Sequence, residues 1–156
     1  MNEKKFKNNK NKKNKNKEKV NEIINKIKGM RELTEEKLKP EDYAVPGGFA
    51  EIIAKNVKIK TAQLRKFFDE IKRLHQNTKP KEDINLVKRG LIKLIPELIF
   101  AKGRGVISEE FYNLMEACIL KEENGKKVCR LKSYKEFENF ISFLEAIVAY
   151  HKGGEK

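Results

Sequence analysis

The residues of this chain that could do chemistry are two histidines, two cysteines, two glycine-rich stretches and a surplus of lysine and arginine. General acid–base or metal chemistry needs a constellation, and His75 and His151 stand 76 positions apart with no HExxH, HxH or DxD pattern near either. Their neighbours suit capping or surface roles better than proton transfer. Cys118 and Cys129 fit neither a disulfide framework nor a zinc site, and Cys118, within a helical pattern, is expected to be a small core residue. KGRG at 102–105 follows a helical segment instead of opening one, and Gly47-Gly48 lacks the rest of a phosphate-binding loop. These readings give no catalytic residues, no metal site and no cofactor.

The cations are the remaining chemistry. Lysine plus arginine number 36 against 23 aspartates and glutamates, a net charge of +13, which makes a polyanion the first partner to consider. Seven of those thirteen charges fall in residues 1–19, where MNEKKFKNNKNKKNKNKEK carries one aromatic and no aliphatic side chain besides Met1. Such a segment buries too little to offset its ordering entropy, so 1–19 is expected to be a disordered basic tail and 20–156 a single domain. The tail either finds phosphates or simply reflects an A-rich coding sequence. With no apolar leader, and with Leu91–Phe100 broken by Lys93 and Glu97, the sequence predicts a cytoplasmic protein with no membrane partner.

The elements that must position these cations read as helices, so the expected class is all-α, a compact bundle of about five helices after a weaker first one. Val20, Ile23, Ile24 and Ile27 mark that first helix, from about Glu18 to Lys28. Phe49 to about Val57 is short. Thr61 is a candidate cap for a helix to Gln76, whose Leu64, Phe67, Phe68, Ile71 and Leu74 make an apolar face opposite Arg65, Lys66, Lys72 and Arg73. Glu82 to Lys102 has too many apolar positions for one stripe and reads as a central helix that bends or restarts at Pro96. Ser108 opens a helix to about Lys121, ENGKK is a turn, and Ser133 with Glu136 forms a capping box before a helix to about Lys152.

Four segments together, GGFAEIIAK (47–55), TAQLRKFFDEI (61–71), LIPELIFAKGRG (94–105) and FENFISFLEAIVAYHK (137–152), resemble the small helical subunit of type III-A CRISPR effector (Csm) complexes. The resemblance spans about residues 43–152. It implies a five-helix bundle that stacks in several copies beside other subunits along a guide RNA and contacts guide and target RNA through basic side chains, with RNA cleavage left to other subunits. Carried to matching positions, it implicates Arg65 and Lys66 in QLRK and Lys102 and Arg104 in AKGR. Glu97 departs from the pattern, and the lysine-rich tail has no counterpart.

Charge spacing adds Lys58 and Lys60 one turn before Arg65 and Lys66, and Arg73 two turns beyond, a strip able to follow a phosphodiester backbone. Arginine can grip a phosphate bidentately where lysine supplies a point charge. The competing readings are a helix-turn-helix DNA binder built on NVKIKTAQLRKFF and a ribonuclease using His75 with lysines.

Overall fold

A computed structural model describes residues 2–153, with side chains from Lys15 to Lys152. The order is α1 (Asn2–Gly29), α2 (Pro40–Tyr43), α3 (Phe49–Asn56), α4 (Thr61–Thr78), α5 (Ile84–Gly103), α6 (Glu109–Ile119), β1 (Leu120–Glu123), β2 (Lys126–Cys129) and α7 (Tyr134–Gly153). The principal helix contacts close into a ring, α1 to α3 to α7 to α4 to α5 to α6 and back to α1. Inside it Ile53, Leu64, Leu91, Phe111, Leu114, Phe137, Phe140 and Phe143 are essentially fully buried.

The expected helical bundle is present, with two differences, one in class and one in the extent of the first helix. Residues 120–129 form an antiparallel hairpin, so the described chain is not purely α. Asn124 and Gly125, at φ +53° and +80°, make the two-residue turn whose positive φ values match strand twist. Glu122 stands opposite Lys127 and Glu123 opposite Lys126 in the register, so opposite charges face each other across strands that lack apolar alternation and are joined by the tight turn. The other difference is α1, which continues to Asn2 instead of starting near Glu18. Its burial begins only at Val20; Lys15, Lys17, Glu18 and Lys19 are exposed, and the side chains of residues 2–14 lie outside the described ones.

Helix α5 is not the central element. It packs on α4, α6 and β2 through Val87, Leu91, Leu98 and Ala101, and exposes Leu86, Ile92, Ile99 and Phe100. It also runs unbroken through Pro96, which lies on the exposed side together with Ile92. The Ile92 carbonyl deprived of its donor therefore sits where water can reach that turn. At Gly90 an added Cβ would lie 2.6 Å from Leu74, so the missing side chain lets α4 and α5 approach.

Caps fix the other helix ends. Asp83 caps α5 by accepting from the backbone N–H groups of Asn85 and Leu86, and Ser108 caps α6 by accepting from Phe111. Lys60, not Thr61, holds the cap position of α4. At α7, Ser133 Oγ accepts the Glu136 N–H at 3.2 Å, but the Glu136 carboxylate reaches the N–H of Lys132 and, at 3.3 Å, that of Leu33. The box thus doubles as a clasp on the α1–α2 linker. Asn139 extends it, donating to the carbonyls of Leu33 and Leu38 and accepting from Tyr43.

Candidate nucleic-acid interface

Helix α4 is amphipathic because its apolar residues recur every three or four positions, and burying them against α7 and α5 turns its cations outward. At 100° per residue those cations form two rows. Lys66 and Arg73 share one row with Glu70 between them, whereas Arg65 and Lys72 lie about 100° around the helix. The Lys66 row borders a groove of about 340 Å³ between α4 and α5, lined by Gln63, Lys66, Glu70, Glu97, Phe100 and Arg104 among others.

The segment between α3 and α4 adds to this surface. Ile59 bridges Ile107; Lys60 donates its N–H to the Val106 carbonyl at 3.1 Å, and Ser108 donates to Lys58 at 2.8 Å. Exposed Lys58 and Lys60 are thereby held beside the C-terminal end of α5, where exposed Arg104 sits. Of the seven sequence-selected cations, Lys66 and Arg104 line the groove; Arg73 lies two turns further along α4 in the Lys66 row, and Lys58 and Lys60 are held near the C-terminal end of α5 through Val106 and Ser108. Arg65 is exposed but faces away from it. Lys102 is half-buried toward α6, its Nζ 4.5 Å from the Tyr112 ring centroid, so the AKGR pair is split across two faces.

Two cations that sequence reading passed over extend the surface. Arg89 and Lys93 are exposed on α5, and Leu86, Lys93 and Phe100 form a row at seven-residue spacing along its outer face. The R-x-x-x-K spacing was visible, but reading α5 as central hid its meaning. The groove also carries acid. Burial and a hydrogen bond shared with the Glu97 carboxyl raise Glu70 above the ordinary carboxylate range, while Lys66 and Arg73 pull it back.

That pair gives a test of the groove's electrostatics. Glu97→Gln removes one partly screened negative charge and is expected to tighten RNA binding roughly two- to fivefold, the range for an exposed charge interaction of about 0.5–1 kcal/mol. In the parent protein mild acidification adds a proton to the raised Glu70 site and should strengthen binding in the same direction. The variant should lose that extra pH dependence. Filter binding across mildly acid to neutral pH measures both, and an identical profile in the two proteins would show that the acids do not face bound RNA.

The groups that could support catalysis are occupied structurally. His75 Nε2 lies 3.1 Å from Glu138 Oε2, its ring stacks on Tyr134 at 5.8 Å, and Lys79 Nζ binds the same carboxylate at 3.0 Å. Although burial pushes Glu138 up, the bonds from Lys79 and His75 outweigh it and hold the carboxyl below its usual range. The cluster ties α4 to α7. Cys118 is fully buried and burial pushes its thiol up to about 12, an inert core residue as expected. Among the described residues no group of three or more potential metal ligands occurs.

A second concentration of cations, Lys28, Arg31, Lys121, Lys127 and Arg130, lines a cleft of about 510 Å³ where the C-terminal ends of α1 and α6 meet the hairpin. Arg130 is 7% exposed and donates to the carbonyls of Ile27, Ala117 and Met30 at 2.8, 2.9 and 2.6 Å, and Lys127 pairs with Glu116. Positive charge here answers the negative ends of two helix dipoles. The most buried cation of this cleft, Arg130, is thus committed to holding the fold together, whereas the α4–α5 surface presents Lys66, Arg73, Arg89, Lys93 and Arg104 exposed.

No described helix is long and apolar enough to cross a membrane. No curated protein and no solved structure matches the chain significantly. The sequence profile described as Csm2 Type III-A matches residues 41–156, which takes in the chain from Glu41 within α2 onward, both walls of the groove and the closing helix. The chain belongs to the Csm2 type III-A family, small structural subunits of type III-A CRISPR effector complexes.

Proposed function

We propose that this chain is a non-catalytic RNA-binding subunit of a cytoplasmic, antiviral RNA-guided complex, stacking in several copies along the guide RNA and gripping the backbones of guide and target strands. The observation that carries this reading is that Lys66 of α4 and Arg104 at the end of α5 line one groove, with exposed Arg73 continuing the Lys66 row on α4 and exposed Arg89 and Lys93 on the outer side of α5. Phosphate contacts of this kind are sequence-independent and suit a subunit that must accept any guide. The exposed aliphatic residues Leu86, Ile92 and Ile99 on α5 support association with further copies or neighbouring subunits, where they would be covered. Few contacts per copy predict weak binding by an isolated chain and avid binding by an array. A helix-turn-helix reading has less to draw on, because α4 commits Leu64, Phe67, Phe68 and Ile71 to the core between α7 and α5.

Purification of the tagged chain from its own cells tests the proposal. Guide-length RNA and the other complex subunits should elute with it. Recovery free of RNA, or sequence-specific retention of one DNA site, would overturn the reading.

A further inference from the structure

Phe100 is the most exposed large apolar side chain of the described core-forming region, at 66% exposure, and it stands at the mouth of the α4–α5 groove. A solitary exposed phenylalanine needs no explanation by itself. Its surroundings supply one. The Arg104 guanidinium lies 5.6 Å from its ring centroid, so one planar cation already borders this aromatic surface. Lys66 and Arg104 border the same groove, and Arg73 lies two turns along the same row of α4 as Lys66. Lining the same groove are groups with hydrogen-bonding edges: the Gln63 amide and the Glu70–Glu97 carboxyl pair.

We infer that the groove between α4 and α5 receives a single nucleobase extruded from the bound RNA, stacked on Phe100 beside Arg104, with its flanking phosphates held by Lys66, Arg73 and Arg104. The inference rests on the RNA-binding reading and adds to it a site for one unpaired nucleotide. Stacking on an aromatic face serves any base, in keeping with a subunit that tolerates any sequence. The volume of about 340 Å³ is at the small end of ligand sites, suited to one ring system and not to a helix or a peptide. Charge is also arranged for a nucleotide. Lys66 and Arg104 border the groove, where phosphates would lie, and Glu70 and Glu97 line it beside them, where amino groups of a base can donate to a carboxylate. A groove built for an apolar protein partner has no use for a carboxyl pair in its lining.

The test uses the full chain and three RNA duplexes of one sequence: fully paired, with a single bulged 2-aminopurine, and with a bulged abasic site. The bulged-base duplex is expected to bind at least about fivefold more tightly than the paired one, the lower end of the stacking contribution for one base. The 2-aminopurine emission should change on binding. The preference should vanish with the abasic bulge and in Phe100→Ala, and persist in Phe100→Tyr, which keeps the aromatic face. Because Phe100 is exposed, Phe100→Ala should keep the parent's thermal midpoint, which shows that a lost preference is not lost folding. Equal affinity for all three duplexes, with their salt dependence intact, would overturn the base site and leave RNA binding standing. No affinity for any of the three would remove the RNA reading and this inference with it. A change in self-association in Phe100→Ala with the bulge preference unaltered would assign Phe100 to an interface between copies and overturn the inference.

Discussion

Replacing Arg130 with methionine is expected to cost about 3–5 kcal/mol, because three carbonyl oxygens at the ends of α1 and α6 lose a charged donor and no other side chain is recorded donating to them. In a chain of this size that corresponds to a thermal midpoint lower by roughly 10 °C. Methionine fills similar volume, so the loss isolates the guanidinium's hydrogen bonds from its packing. Arg130→Lys should recover only part, since an ammonium lacks the planar fork that reaches carbonyls on two helices at once. A local readout separates this clamp from a general surface effect. Cys118 is buried two residues before the hairpin, on the helix whose Ala117 carbonyl Arg130 holds. Loosening that end of α6 should let a thiol reagent reach it well below the unfolding midpoint. If Arg130→Met melts within 2 °C of the parent and keeps Cys118 protected, the three bonds are not what joins α1 to α6.

The clamp also explains why the N-terminal segment belongs to the domain although the family match begins at residue 41. Arg130 reaches Ile27 and Met30, Glu136 reaches Leu33, and Asn139 reaches Leu33 and Leu38. Each is a buried polar group of the matched region whose partner lies outside it. None of this was legible in the sequence, for a physical reason. The partners are backbone carbonyls and amides about 100 positions away, and a carbonyl carries no residue signature. The helices themselves were legible, because their burial follows the 3.6-residue period that the apolar residues spell out.

Where the period failed, it failed on a distinction that periodicity does not contain. The surplus of apolar positions on α5 is equally consistent with a helix surrounded by its own protein and with one surrounded by another. Leu86, Ile92, Ile99 and Phe100 belong to the second case in this chain, exposed along a surface that also carries Arg89 and Lys93. The hairpin escaped for the opposite reason. LKEE and KKVC have no alternation to detect, and what brings them together is the Asn124-Gly125 turn, in a register that sets two glutamates opposite two lysines. Among the cations, spacing placed Lys66 and Arg73 in one row correctly in principle, but QLRK and AKGR each put neighbours in sequence onto different faces in space.

That separation of faces sets the largest expected effect on binding. The quadruple variant Lys66→Ala, Arg73→Ala, Arg89→Ala, Arg104→Ala should lose about four phosphate contacts, lowering the logarithmic salt slope for single-stranded RNA by roughly 2.8 at ~0.7 per contact. Between 50 and 200 mM salt the parent's affinity should therefore fall by about 50-fold more than the variant's. All four side chains are at the surface or the groove rim and none is recorded in a carboxylate ion pair, so the fold should survive. Arg65→Ala with Lys72→Ala removes two cations from the other row of α4 and should change the slope by less than half of what two groove-facing cations contribute. Lys102→Ala should act differently again, costing about 0.5–2 kcal/mol of stability through its contact with Tyr112 and leaving the slope alone. The comparison decides whether geometry or mere net charge governs binding. If every lost cation lowers the slope equally, wherever it lies, the protein is a diffuse polycation toward RNA, and the α4–α5 surface has no special part in its function.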